Sequence, residues 1–156
     1  MTSHTTTRVP VNDDYATLLG KAIYIFAYYE WGIIYIIENF NHGFVHTYSR
    51  EKTMTSGVVK SELKRVISDV NTDFSKITQE ELRKCFVQFN ELIDKRNALI
   101  HAHPCADTDG AQILSYQTMP HREIPDMTRT VDKITAVISE FDQAACDANQ
   151  LLDKIR

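Results

Sequence analysis

The chain has 156 residues, 43% of them hydrophobic and 24% charged, with a formal net charge of -4. This composition fits one folded domain with a sizeable core and excludes a disordered chain. The acidic balance argues against a broad nucleic-acid-binding surface, which would carry a basic excess, but leaves room for a small cleft of local positive charge.

Five Gly and four Pro favour long elements over many short strands, so an all-α domain is expected. Cys85, Cys105 and Cys146 are an odd number without framework spacing, and no charged and apolar leader opens the chain. A cytoplasmic location follows as the expectation. The most apolar window, residues 22–37, contains Glu30 and is short for a membrane span of about 20 residues. It reads as a buried helix, and no membrane partner is expected.

Residues 1–13 are polar and Thr-rich and read as a flexible arm before a single domain at 14–156. The first helix is predicted over 14–41, stopped by Gly43. Ile23, Ile25, Phe26, Tyr28, Tyr29, Trp31, Ile33, Ile34, Ile36 and Ile37 leave it without a polar face, as in a helix covered on several sides, a second subunit included. Residues 44–55 lack a period and read as a loop. Between the first two long helices His42, His46, Tyr48 and Arg50 either approach RNA together or are simply solvated.

Val58 or Val59, Leu63, Val66, Ile67 and Val70 recur at three and four residues and predict a second, amphipathic helix. The third opens at Thr78, whose hydroxyl caps while Glu81 reaches back and Ile77 staples onto Leu82. Pro104 ends it near His101 or Ala102. A strand over 111–117 follows a turn at 107–110 and pairs with 104–106 as a short hairpin. The last helix opens at Pro125 with Asp126 or Thr128, and carries the stripe Val131, Ile134, Ile138, Phe141, Ala145, Ala148, Leu152 and Ile155.

Chemistry concentrates in Lys95-Arg96-Asn97-Ala98-Leu99-Ile100-His101-Ala102-His103-Pro104. An Arg followed five to seven positions later by His is expected about once by chance in such a chain, so spacing carries little. Position carries more. Arg96 interrupts the apolar stripe Leu82, Phe86, Phe89 and Ile93, while Asn90, Asp94, Asn97 and His101 form a polar stripe on the same helix. A permanent cation beside a titratable imidazole suits phosphate-ester chemistry, the arginine fork holding phosphate and the histidine moving protons near neutral pH.

His103 competes with His101. In an unbroken helix a seven-residue step returns to the face of Arg96, whereas a five-residue step lands about 140° away. Alternatively both imidazoles cap carbonyls and Arg96 is a plain ion-pair residue. Glu30, isolated in its apolar helix, needs a partner to offset its burial. Arg96 is the expected one, unless Glu30 lies at an exposed edge or pairs with another base. A metal reading uses the alternation of His101, His103 and Cys105 with His121 as a fourth ligand, but the helical start of that segment spoils it. No metal and no cofactor are expected.

A helical domain with Arg96, Asn97 and His101 closing its third long helix resembles the HEPN superfamily, whose ribonucleases carry an arginine, a polar residue and then a histidine at these offsets. The resemblance implies an up-and-down four-helix bundle with a short hairpin or extended insert before the last helix. It also implies a metal-independent endoribonuclease, a toxin or phage-defence effector, whose two motifs face one another across a homodimer. His101 would then be the base, Arg96 would stabilise charge, and Asn97 would orient either the imidazole or the phosphate. Lys95, doubled across the twofold axis, would join Tyr48 and Arg50 in binding RNA. Family members often place an acidic residue on the first helix, here Glu30. Other members are catalytically silent and bind a nucleotide or a partner protein, for example a nucleotidyltransferase antitoxin. A purely structural helical dimer is a third reading.

Overall fold

The structure is a computed structural model that describes residues 11–50, 55–106, 108–116 and 127–156. Of the arm expected at 1–13, residues 1–10 lie outside the described residues, as do His121, Pro125 and Asp126, while Asn12 and Asp13 belong to the start of the first helix. Helix α1 (Asp13–Glu38) begins where the Asn12 side chain accepts from the Asp14 N–H, with Asp13 and Asp14 placed to complement the helix dipole. It ends three residues before the expected 41. The chain then turns through Gly43, whose φ of +93° suits a residue without a Cβ.

The expected loop at 44–55 is largely a helix, α2 (Phe44–Arg50). Its leading amides are held from a distance: the Glu38 carboxylate accepts from Gly43 N and Val45 N, both at 2.8 Å. These bonds hold the carboxyl of Glu38 below the usual carboxylate range. Seven residues are too few for a visible period, and a cap supplied by the preceding helix leaves no local signature.

Helix α3 (Ser56–Ser68) buries Val59, Leu63, Val66 and Ile67, while Val70 lies beyond its end and is 95% exposed. In α4 (Gln79–His101) both bonds of the capping box form, Glu81 N to Thr78 Oγ1 at 3.1 Å and Thr78 N to Glu81 Oε2 at 2.8 Å. Ile77 and Leu82, the two ends of the expected staple, are both buried.

After α4 come β1 (His103–Ala106), β2 (Gln112–Tyr116) and β3 (Met127–Arg129), an antiparallel sheet in the order β1-β2-β3. Pro104 pairs with Leu114 and Cys105 with Ile113, so the predicted hairpin forms and a third strand joins it. Thr128 lies in that strand instead of opening the last helix. Helix α5 (Val131–Ile155) starts after Thr130, whose side chain accepts from Lys133 N.

The architecture is thus mostly helical. Helix α1 lies along α5, and Gly32 marks their close approach: a Cβ there would stand 3.4 Å from Ala148 Cβ. Phe26, Tyr29, Phe89 and Phe141 form the aromatic centre, with Phe26 at 5.1 Å from Phe141 and Tyr29 at 5.7 Å from Phe89, ring to ring. Each such side chain contributes roughly 1.5–3 kcal/mol through burial. Not every apolar face of α1 is covered: Tyr24 is 74% exposed, with Tyr28, Trp31 and Tyr35 also open. Among the described residues no helix is long and apolar enough to cross a membrane.

Candidate functional site

Arg96 interrupts the apolar stripe of α4 because it faces a polar cluster built by three other helices. Its Nη2 donates to Ser56 Oγ at the first turn of α3. The Ser56 hydroxyl donates to Glu30 Oε2 at 2.7 Å, and the Tyr48 hydroxyl of α2 donates to Glu30 Oε1 at 3.1 Å. Glu30 therefore finds its partners inside the fold, but the expected ion pair with Arg96 is not direct. Ser56 stands between them.

The guanidinium is held on a second side by Phe26, whose ring centroid lies 5.2 Å from Cζ. Its Nε is buried without a hydrogen-bond partner, and Nη1 has none among the described residues. Ile23, Phe26, Ala27, Glu30, Trp31, Arg96 and Ile100 line a cleft of about 190 Å³ between α1 and the end of α4. Its lining sets the charged Glu30 and Arg96 among apolar side chains. Burial and the Glu30 charge together push the Tyr48 phenol up to about 12, so the phenol keeps its proton and donates it to Glu30 through the neutral range.

His101 is the last residue of α4 and His103 the first of β1, both exposed. Because the helix stops at His101, the seven-residue projection that favoured His103 does not apply. A five-residue step carries His101 about 140° around the axis from Arg96, and no bond joins the two within the chain. Asn97 is half-buried beside Arg96.

Lys95 makes an ion pair with Glu140 of α5, so its charge is already engaged within the chain. Arg50 is exposed at the end of α2, and Tyr48 is turned inward to Glu30 instead of outward to solvent. Among the described residues, no group of three or more His, Cys, Asp or Glu is placed to hold a metal.

Ser56 and Phe26 were not legible as site residues. Phe26 read as core, which it also is. Ser56 carried no signal at all; it follows Thr55, which makes no side-chain capping bond, and turns inward, 4% exposed. Compared with protein-family models, curated proteins and solved structures, the chain matches none of them.

Proposed function

We propose that the chain is a metal-independent endoribonuclease of HEPN type, an up-and-down helical bundle acting as a homodimer, in the manner of a toxin or phage-defence effector. One observation carries this: Arg96 is fixed at a cleft by Ser56 and Phe26 yet keeps most of its N–H donors unspent, with an exposed histidine closing the same helix. A direct carboxylate partner would have taken two of those donors as a fork.

In the reaction, His101 takes the proton of the ribose 2'-hydroxyl, and the 2'-oxygen attacks the adjacent phosphorus. Arg96 stabilises the charge that grows on the phosphoryl oxygens. The bond from phosphorus to the 5'-oxygen breaks, and that oxygen takes a proton from the partner subunit's His101. The products are a 2',3'-cyclic phosphate and a free 5'-hydroxyl. Since Arg96 and His101 of one chain point to different sides of α4, the composite cleft draws on two copies. The exposed aromatic face of α1 and Ile100 next to it offer apolar surface for such a contact.

A second reading is a non-catalytic module that binds a nucleotide or a partner protein in the same cleft. The Lys95–Glu140 pair favours it, because that lysine's charge already has a partner at the surface of the same chain.

The deciding experiment incubates wild type, Arg96→Ala and His101→Ala with RNA in the presence of a chelator and determines the ends. Wild type should leave cyclic phosphate ends, and loss of His101 should slow cleavage by about 10²–10⁴-fold. Equal cleavage by all three proteins sinks the assignment, and chelator-sensitive activity restores a metal mechanism. No cleavage with saturable nucleotide binding selects the module. A monomer in sedimentation at micromolar concentration removes the composite cleft.

A further inference from the structure

The bonding around Glu30 can be assigned in only one direction. A carboxylate accepts and a guanidinium donates, so the single hydroxyl proton of Ser56 goes to Glu30 Oε2 and its lone pairs take the N–H from Arg96 Nη2. Tyr48 occupies the other carboxylate oxygen. Each oxygen of Glu30 thereby accepts from one hydroxyl group, and the carboxylate stands one hydroxyl away from the guanidinium it would otherwise grip. A direct carboxylate fork would spend two parallel N–H donors of the arginine; the serine takes one of the five, and Nε is left buried and unsatisfied.

We infer that Ser56 is a positioning residue that holds Arg96 one hydroxyl away from Glu30 and so reserves its remaining Nη N–H donors for the oxygens of an RNA phosphate. This rests on the phosphate-holding role proposed above for Arg96. Ser56 acts through Arg96 and does not touch the reacting atoms. Removing the hydroxyl lets the two charges close into a direct pair, which takes the fork away from the substrate. The damage is thus electrostatic capture, and neutralising the captor undoes it.

The test is a cycle in the full-length protein carrying His101→Ala to prevent cleavage, read by fluorescence anisotropy with a fluorescein-labelled single-stranded RNA at one fixed salt concentration. Ser56→Ala should weaken binding about tenfold, the range of a charge-assisted hydrogen bond. Adding Glu30→Gln should restore most of that loss, and by more than Glu30→Gln strengthens binding when Ser56 is intact. Where Ser56→Ala does not fold, Ser56→Cys, close in shape and a weak donor, takes its place. Unchanged affinity on losing the hydroxyl overturns the inference, as does an equal effect of Glu30→Gln on both backgrounds. Arg96→Ala separates the two levels: if it binds as tightly as its parent, the phosphate role of Arg96 fails. If it loses binding while Ser56→Ala does not, the role of Ser56 alone fails.

Discussion

The two ends of α4 treat their polar groups in opposite ways. At the N-terminal end Thr78 and Glu81 satisfy one another, and Lys154 of α5 adds an ion pair to Glu81 at 2.6 Å. All of it is local or at the surface. At the other end Arg96 reaches inward to α3, stacks over the Phe26 ring, and retains a buried donor without a partner, while His101 and His103 stand in solvent. A helix end that closes its bonds serves stability. One that leaves them open beside a cleft has donors that the proposed substrate would take.

Phe26 is where that contrast breaks down, since it supports both the aromatic centre and the guanidinium. Phe26→Ala should cost about 3–5 kcal/mol in denaturant unfolding and lower RNA affinity as well. A loss of stability without loss of RNA affinity would separate the two roles. At the capped end, Thr78→Ala should cost about 1 kcal/mol and leave cleavage of RNA unchanged, as compared by urea midpoint and initial rate.

The smallest effect is seen in acid. Lys154 first, and the Thr78 backbone N–H second, lower the carboxyl of Glu81 from its ordinary 4.5 to about 2. A group lowered on folding stabilises the fold above its unfolded value and loses that contribution as pH falls toward the folded one. The thermal midpoint of wild type should therefore drop further between pH 4.5 and 2 than that of Glu81→Gln. Parallel curves would show the capping box to be inert in acid.

The same contrast sets what the sequence made readable. The capping box has three-residue spacing, and both its partners were named from it; the end of α4 at His101 was legible because proline acts on the residue just before it. The pairing of 104–106 with the following strand was legible from the turn between them. Glu30 drew notice as a charge in an apolar run. Its partners did not, because Tyr48 and Ser56 lie 18 and 26 residues away and Arg96 meets Ser56 across 40. Contacts of that reach have no periodic trace. Helix α2 escaped for a related reason, its amides being held by Glu38 of the preceding helix.

Trp31 is the single tryptophan of the chain. It lines the cleft with Arg96 and lies edge to face with Tyr48 at 5.8 Å, 37% exposed. The chain thus carries its own optical probe at the proposed site. The emission of this one indole should change, without any label, when RNA enters beside the arginine as proposed.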